Sequence, residues 1–463
     1  MAQNYILLET INLTQSAASV TFDNIPQTGY TDLKVVMSAR TTQGDVADGI
    51  YAKFNGSAAG FTGKYLLGNS STASSGSLAQ YVGEANGNAS TASTFSSHEI
   101  HIPNYTSANN KSFSVDSVSE NNLGTSGAAY ATLDAGLWSN TAAITSITLT
   151  PSGGTWVQYS TFSLYALAAL GTTPVTAPLA FGGNIVANDG TYWYHAFLSS
   201  GTFTPATELS CDALVIGGGG SGGGYSGAGG GAGGAIAFTS QSLSTAQTVT
   251  IGAGGVGTTG LGNFGTSGSN SVLGSLTAGV GGGSGAPYNN AGTNGGSGGG
   301  GGAGSAASGS GFAGGTSTQT STGGTAYGFA GGTGGNSARG AAGGGGGAGA
   351  LGGNAGTSSG SAAGGNGGIG ISAISWSGGT LQTALSTLTL GQLVSSTYYI
   401  AAGGGGCGDS AGTGGSGGGG TTVNGSVAGA GIASTGSGGG GANNNGTGGN
   451  GGSGVVIIRY AMV

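Results

Sequence analysis

The sequence predicts an all-β protein in two parts: an N-terminal β-sandwich or jelly roll, followed by a polyglycine II helix sandwich with short flanking strands and essentially no α-helix. Three observations lead to this prediction. The chain has 463 residues, and 92 of its 112 glycines lie in residues 213–463, a fraction far above the roughly 7% of ordinary chains. Strand-like segments separated by turn signals fill the first 170 residues. No segment of these 170 residues shows a convincing 3.6-residue apolar period.

Eight segments before residue 170 have the composition of β-strands. Clusters of Asn, Gly, Ser and Pro lie between them and indicate turns. Strands of this number and spacing favour an antiparallel sandwich or jelly roll. The simplest role for Trp138, Trp156, Phe162 and Tyr165 is in its core. The predicted strands are Tyr5–Leu13, Leu33–Arg40, Ile50–Phe54, Phe95–Ile102, Lys111–Val118, Ala129–Trp138, Ile144–Leu149 and Gln158–Leu167.

Composition divides the chain into three predicted regions. Residues 1–170 form the sandwich domain, residues 171–200 a linker with a short aromatic strand, and residues 201–463 the glycine-rich domain. The linker assignment rests on residues 171–184, which contain two prolines and no regular pattern. Within 192–197 both faces of a strand would be apolar, so we expect that strand to be buried.

The glycine runs predict an ordered array. Without a Cβ, glycine can form an extended helix with three residues per turn, rising about 3.1 Å per residue and lacking internal hydrogen bonds. Such helices can pack side by side and bond to one another, which satisfies their backbone groups. A run of eight residues spans only about 25 Å, so the chain must reverse often. Short apolar segments flank the runs at Ala213–Ile216, Ala235–Thr239, Thr248–Ile251, Val272–Thr277, Tyr398–Ala402 and Val455–Tyr460.

Collagen and a flexible linker are the alternatives to an ordered array. Collagen requires glycine at every third position and abundant proline, but these runs are irregular and Pro287 is the only proline after Pro205. A flexible linker would need no apolar segments at its ends. An ordered array is therefore the favoured interpretation, with a disordered linker as the alternative.

Charge argues against several classes of partner. The chain carries seven basic and fourteen acidic residues. After Asp212 only Arg339, Asp409 and Arg459 are charged, so no basic patch is available to neutralise phosphates. No stretch approaches the roughly 20 apolar residues of a membrane span. The first residues lack the cationic region of a secretory signal. We therefore expect a soluble protein made inside a cell, with no nucleic-acid partner.

No motif predicts catalysis, a cofactor or a metal. Residues 252–257 match GxGxxG, but a match is expected by chance in such a region, and neither a helix pattern nor an acidic residue follows at the required spacing. His98 and His101 would point to opposite faces of a strand. Asp45 and Asp48 fit a solvated turn better than a calcium loop. Without a credible catalytic constellation, we expect no enzyme activity.

The two cysteines, Cys211 and Cys407, flank the glycine region. They could pair if they were close in space, but buried free thiols are the favoured prediction.

Isolated aromatic residues within the glycine-rich sequence are the candidate binding groups. An aromatic ring beside amide side chains can cover the C–H surface of a sugar while the amides bond its hydroxyls. Reversal loops would present such residues to a receptor. The candidates are Tyr288, Asn289, Asn290, Tyr327, Phe329 and Trp376.

Both parts of the chain resemble bacteriophage virion proteins. The C-terminal part is similar to the glycine-rich domain of tail-fibre and adhesin proteins through Gly201–Pro205 (GTFTP), Asp212–Gly220 (DALVIGGGG) and Gly451–Tyr460 (GGSGVVIIRY). The N-terminal part looks like a module of marine-phage virion proteins. The segments that carry this likeness are Phe22–Thr28 (FDNIPQT), Tyr30–Leu33 (YTDL), Ile102–Tyr105 (IPNY) and Ser163–Tyr165 (SLY).

The resemblance implies a non-enzymatic adhesin of the virion. The N-terminal sandwich would attach to other tail or fibre proteins. Loops of the rigid glycine array would bind a glycan or an outer-membrane protein on the host cell. The protein would be made in the host cytoplasm and would act on the particle surface. Unlike short adhesins, this chain has a large N-terminal domain and a low-glycine insert, residues 369–402.

The sequence leaves further functions open. A structural head or tail appendage without receptor contact is the main alternative. Ice binding would require a flat regular face, which the irregular run lengths disfavour. A glycan depolymerase lacks an evident acid pair. Fibres are often trimers, but the chain shows no heptad pattern, so its oligomeric state is open.

Overall fold

A computed structural model describes most of the chain. The described residues are 5–69, 71–121, 129–169, 178–260, 262–304, 311–336, 340–356, 362–374, 376, 378, 380–424, 427–443 and 446–462. They form two compact units. The first unit comprises Met1–Pro178, Asn184–Gly190 and Met462–Val463, and the second comprises Leu179–Gly183 and Thr191–Ala461.

The first unit is built from thirteen strands in the described residues. They are β1 (Tyr5–Asn12), β2 (Val20–Phe22), β3 (Tyr30–Ala39), β4 (Ala47–Phe54), β5 (Phe61–Gly68), β6 (Ala73–Gly76), β7 (Tyr81–Asn86), β8 (Ser96–Ile102), β9 (Lys111–Val118), β10 (Ala131–Trp138), β11 (Ile147–Pro151), β12 (Thr161–Ala168) and β14 (Ile185–Asn188). β13 (Ala180–Phe181) belongs to the second unit.

These strands form the two layers of a sandwich. In this unit the larger sheet has the order β14-β1-β12-β3-β8-β9-β10-β5-β6, and the smaller has the order β2-β11-β4-β7. Neighbouring strands are antiparallel. Alternate residues of β9 are buried and exposed along its whole length, because successive side chains point to opposite faces.

The core of the sandwich contains the aromatic residues that the sequence assigned to it. Trp138, Trp156 and Phe162 are fully buried, and Phe54 packs edge to face on Trp138 with ring centroids 5.6 Å apart. Tyr165 is only half-buried. The predicted strands are present, while β2, β14 and the consecutive strands β5, β6 and β7 were not predicted. Those three strands include polar or glycine-containing stretches such as Ser74–Gly76, which lack the β-branched and aromatic residues of a strong strand signal.

The second unit combines short strands with long glycine segments. Its strands after β13 are β15 (Tyr192–Phe197), β16 (Gly201–Pro205), β17 (Leu209–Ile216), β18 (Ala235–Leu243), β19 (Gln247–Thr250), β20 (Val272–Leu273), β21 (Thr325–Tyr327), β22 (Gln392–Val394), β23 (Thr397–Tyr399), β24 (Val423–Asn424), β25 (Ala442–Asn443) and β26 (Val455–Ala461). The strand order β21-β18-β17-β26-β15 defines one sheet, and β13-β16-β19-β20 defines another.

The predicted strands that flank the glycine runs are all present in some form, and β15 is buried as expected. The described residues contain a single helix, α1 (Leu381–Thr387), whose N-cap Thr380 accepts a hydrogen bond from the Thr383 N–H. No helix in the described part of the chain is long and apolar enough to span a membrane. The predicted fold class is confirmed.

In the described residues, the glycine segments of the second unit form eighteen extended rods, which we number along the chain. They comprise residues 217–223, 227–234, 252–257, 265–269, 279–286, 291–296, 297–304, 311–316, 328–335, 341–348, 349–356, 362–370, 401–408, 410–416, 418–422, 427–432, 436–442 and 446–454. Within the rods, positive φ among glycines occurs only at Gly418 and Gly436, each the first residue of its rod. Apart from the short β24–β25 pair and a few isolated bridges, the described rods are joined neither by strand ladders nor by helical i→i−4 bonds within a rod.

Successive N–H groups of a rod donate to different neighbours in rotation. In rod 2, Gly227, Gly230 and Gly233 donate to rod 17, whereas the next residue after each donates to rod 5. The third residue of each repeat, Gly229 and then Ala232, donates to rod 10. A three-residue period with no internal bonds is the geometry of a polyglycine II helix.

Rod 2 lies at the centre of a hexagonal array. It donates to rods 5, 10 and 17 and accepts hydrogen bonds from rods 1, 7 and 13. These six rods are also bonded to one another in a closed ring, in the order 1, 5, 7, 10, 13 and 17. The other eleven rods lie outside this ring. The array thus satisfies buried backbone groups in every direction, which is required in a region without water.

Close packing explains why glycine is needed in the central rod. An added Cβ at Gly229 would overlap the carbonyl oxygen of Gly404 in rod 13, and one at Gly231 would overlap the carbonyl of Ser297 in rod 7. Both obstacles are backbone atoms of rods that are themselves held on several sides, so they cannot move aside cheaply.

Asparagine side chains close the outer surface of the array. In rod 12, every third residue (Ala363, Asn366 and Ile369) lies towards the outside. The Asn366 side-chain oxygen accepts the N–H of Thr413 in the adjacent rod at 2.9 Å. Equivalent bonds join other outer rods: Asn294 accepts from Thr316, Asn354 from Thr333, and Asn450 from Gly257. These amides supply acceptors where no further rod is present.

Side chains also supply the acceptors on the one side of rod 5 that no other described rod adjoins. The Gly281 N–H donates to the side-chain oxygen of Asn270 at 2.9 Å, and the Ser284 N–H lies 3.4 Å from Ser267 Oγ. The next residue in this three-residue series is Pro287, which has no N–H. Proline therefore stands at a position of this series where no neighbouring rod requires a backbone N–H donor.

The central packing predicts a graded response to added methyl groups. Gly229→Ala should lower the thermal unfolding temperature strongly, because overpacking a close-packed interior typically costs about 1–3 kcal/mol or more. Gly356→Ala, in outer rod 11, is the matched control, since its new Cβ would lie 3.2 Å from the nearest atom, the Ala363 nitrogen. Differential scanning calorimetry of the two variants measures the difference. Equal effects would contradict the close-packed array.

Burial in the sandwich predicts an unusual pH dependence. Burial raises the pKa of Asp134 to about 7 and lowers the pKa of His98 to about 3. The folded state thus binds the Asp134 proton more tightly than the unfolded chain does, so the free energy of unfolding should fall as pH rises from about 4 to about 7. It should also fall as pH drops from about 6.5 towards 3, because folded His98 resists protonation.

Urea denaturation between pH 3 and 8 tests this dependence. Asp134→Asn should reduce the decline between pH 4 and 7 and leave the His98 branch in place; part of the decline should remain, because burial also raises the pKa of Glu9 to about 8 and raises the pKa of Glu84. Identical profiles for the variant and the wild type would show that Asp134 is already ionised in the folded protein.

Candidate functional site

The rods run alternately in opposite directions, which gives the array two different ends. Rods 1 and 2 are antiparallel: Gly217, Gly220 and Gly223 donate to Gly234, Gly231 and Ala228 in turn. The same decreasing register joins each rod to the next along the chain, from rods 3 and 4 to rods 15 and 16. Every second reversal of direction therefore falls at the same end.

We call these ends the strand end and the loop end. At the strand end, β17 leads into rod 1, rod 2 leads into β18, and rod 18 leads into β26. At the loop end lie the connections between rods 1 and 2, rods 3 and 4, and so on to rods 17 and 18. Six of these nine connections include residues outside the described set.

Two neighbouring loops bring aromatic rings together at the loop end. Tyr225 lies in the connection between rods 1 and 2, and Tyr288 lies in the connection between rods 5 and 6. Their rings meet edge to face with centroids 6.2 Å apart. The Tyr288 N–H also donates to the Tyr225 carbonyl at 3.3 Å. Both rings are half-buried, so each keeps part of its surface towards solvent.

The backbone of these loops is held in tight, left-handed turns. Tyr225 and Ser226 have φ values of 43° and 51°, and Asn289 has a φ of 58°. The Asn289 N–H donates to the Ala303 carbonyl in rod 7 at 2.8 Å. The Asn290 side-chain amide donates to the Tyr288 carbonyl, also at 2.8 Å. Asn290 thus braces the turn, while the Asn289 side chain is exposed.

A layer of small side chains supports the aromatic pair. At the loop end, where the rods stop packing on all sides, methyl and thiol groups replace hydrogen and fill the space between rods. Tyr288 packs against this layer, whose buried members are Ala228, Ala286, Ala303, Ala342 and Cys407. The layer therefore couples the position of Tyr288 to the central rods rather than to a free loop.

The other three predicted site residues lie at the strand end, away from the loop end. Tyr327 is half-buried in β21 opposite Ala235, and Phe329 lies near the start of rod 9 with 40% of its side chain exposed. The sequence assigns Tyr327 and Phe329 to a reversal loop, as it does Tyr288, and the segment between rods 8 and 9 lies at the opposite end of the array from the loop of Tyr288.

Trp376 is held in a buried charged cluster. Its ring covers one face of the Arg459 guanidinium, 4.4 Å from centroid to Cζ, and the Tyr192 ring lies 4.2 Å from the same carbon. Arg459 Nε and Nη2 donate to Asp212 Oδ2 at 3.1 and 2.7 Å. Arg459 Nη2 also donates to the Gly378 carbonyl. Trp376 is only 8% exposed, so it packs the insert onto β26 rather than projecting from a loop.

Charge is sparse at the loop end. Asp409, in the connection between rods 13 and 14, is exposed and accepts the Ala362 N–H at 3.1 Å. Arg339 lies outside the described residues. Among the described residues, no group of three or more His, Cys, Asp and Glu side chains could hold a metal ion. The motif at residues 252–257 forms rod 3.

A comparison with protein-family models gives a match to the second unit. A model described as a glycine-rich domain matches residues 198–461, which is more than half of the chain. The chain belongs to this glycine-rich domain family. The matched span of the glycine-rich domain includes all eighteen rods and begins just before β16. No curated protein and no solved structure matches the chain.

Sequence reasoning on the glycine-rich domain missed the role of Tyr225, which is absent from the candidate residues that the sequence predicts. A signal was present in the sequence: Tyr225-Ser226 interrupts two long glycine runs at the point where a reversal is required. Assigning that reversal to the same end as Tyr288 required the directions of the intervening rods.

The two thiols of the chain are free and buried, as predicted. Burial raises the pKa of Cys407 to about 12 and, together with the nearby Asp212 carboxylate, that of Cys211 also to about 12. Because only the thiolate reacts readily, neither thiol of the folded protein should react with Ellman's reagent at pH 8. Both should react in 6 M guanidinium. Rapid labelling of Cys407 without denaturant would contradict the packed layer beneath Tyr288.

Proposed function

We propose that this protein is a phage virion fibre or adhesin that attaches, without catalysis, to a receptor on the host-cell surface through the loop end. The observation that carries the proposal is the alternation of the rods, which gathers nine connections on one end of a rigid lattice. A binding surface on a rigid base loses little conformational freedom on association, which favours affinity. Loops are also where binding residues concentrate on rigid scaffolds.

The chemistry of the described loop end supports this role. Tyr225 and Tyr288 offer ring surface, and the exposed Asn289 offers an amide beside it. Tyrosine supplies contact area with few rotatable bonds, and asparagine supplies adaptable hydrogen bonds. The receptor would be a host glycan or an outer-membrane protein. The first unit would attach the chain to other tail or fibre proteins of the particle, where the protein would reside after synthesis in the host cytoplasm.

Adsorption of virions that carry altered chains tests this proposal. Replacing Tyr225 and Tyr288 together by serine should reduce adsorption to host cells at least tenfold, because both rings of the surface are removed. Phe329→Ser is the matched control, since it removes an exposed aromatic from the strand end. Particle yield and the thermal stability of the purified chain would show that the variants fold and assemble.

The opposite result has a clear form. Normal adsorption of the tyrosine variant, or an equal loss in the Phe329→Ser control, would remove the loop end as the receptor surface.

A structural appendage is the second candidate function. The saturated hydrogen bonding of the array favours it, since a stiff spacer needs no receptor contact. A map of the intact particle separates the two candidates. An adhesin requires the loop end to point away from the particle, whereas a buried loop end would favour the appendage.

A further inference from the structure

One part of the first unit presents an apolar surface to solvent. Leu66, Val118, Leu133 and Leu137 lie on the outer side of β5, β9 and β10, with 61%, 42%, 59% and 36% of their surface exposed. We call these four residues the leucine face. Large exposed apolar patches on a soluble domain indicate an interaction surface.

The strand register makes the leucine face continuous. Leu133 in β10 lies directly opposite Leu66 in β5 and Asp116 in β9. One step along the same side of β10, Ala131 lies opposite Val118. Adjoining shallow cavities of about 480, 530 and 600 Å³ extend over these strands. The surface can therefore receive another sheet rather than a single side chain.

On β3 and β8 the same outer side is mostly polar, with Val36 as an exposed apolar exception. On β3 and β8, Lys34 pairs with Glu99 at 2.6 Å, and His101 lies 3.4 Å from Asp32. Solvent-facing positions of one sheet thus change from charged pairs to leucine and valine within three strands. Leucine and valine side chains are unfavourable at solvent-exposed positions, because covering apolar surface is stabilising by about 25 cal/mol per Å².

Two charges flank the leucine face in a self-complementary pattern. Lys64 in β5 lies opposite Ala135, and Asp116 in β9 lies opposite Leu133. The two charges are therefore on opposite sides of β10. Neither forms an ion pair among the described residues. A two-fold axis parallel to β10 would place the β5 side of one copy over the β9 side of another.

We propose that the leucine face binds a second copy of this chain about such a two-fold axis. The rotation brings Lys64 of each copy to within two residues along the strand of Asp116 of the other. Lys64, whose Nζ otherwise donates to Ser77 Oγ, and Asp116 each gain an oppositely charged partner while the leucines are covered. An isologous contact of this kind uses one patch twice. Two sheets can pack face to face with aligned strands about 10 Å apart. This inference does not depend on the receptor role of the loop end.

Light scattering on the full-length chain measures the predicted assembly. The wild type should have twice the 43.1 kDa mass of one chain and should dissociate on dilution. Leu133→Asp should give monomers, because it places a carboxylate at the centre of the covered surface. Val36→Asp is the matched control, since Val36 is 38% exposed on β3 within the polar part of the sheet, and it should leave the dimer intact.

A charge exchange tests the geometry. Lys64→Asp and Asp116→Lys should each weaken the dimer about tenfold or more, because each brings like charges together twice. The double variant should recover wild-type affinity. An equimolar mixture of the two single variants should form a heterodimer, since each copy then offers the charge that the other lacks. Raising the salt concentration should reduce these differences.

Several outcomes would overturn the proposal. A wild-type chain that stays monomeric at high micromolar concentration would do so. So would a trimer that is insensitive to Leu133→Asp, or single charge variants that weaken the dimer without rescue in the double variant. Circular dichroism and thermal melts establish that each variant is folded, so loss of assembly can be assigned to the surface.

Discussion

The structure of the second unit depends on one constraint: every backbone N–H and C=O in a dry array must find a partner, although almost no side chains are available to help. Polyglycine II rods meet this constraint by directing successive N–H groups to different neighbours. Rod 2 reaches six neighbours in this way. The apolar area that stabilises an ordinary core is replaced here by saturated hydrogen bonding and close backbone contact.

The loop end follows from the same constraint. A reversal is allowed only where packing stops, so the turns collect at the ends of the rods. There the backbone adopts positive φ at Tyr225 and Asn289, and alanines can fill space that a central glycine must leave empty. The support beneath Tyr288 is therefore a product of the lattice and not a separate structural element.

Much of this architecture can be predicted from composition and pattern. Glycine runs, their apolar flanks and the scarcity of charge predict the rods, and strand-like segments separated by turn signals predict the sandwich. The sequence could not predict whether a particular residue lies at the strand end or at the loop end of the array. Tyr327 and Phe329 share the aromatic and glycine context of Tyr288, but their end depends on how many rods precede them. Trp376 looks like a loop aromatic in sequence, whereas its partner Arg459 lies 83 residues further along the chain.

The three-residue rotation of hydrogen bonds also limits how this gene can change. Inserting one residue inside a rod would turn every later donor of that rod by about 120°, towards the wrong neighbour. Length changes within a rod should therefore occur in multiples of three, and whole rods should be gained or lost in pairs so that later loops keep their side. Connections at the loop end face neither restriction, so insertions and deletions of any length can accumulate there while the lattice stays in register.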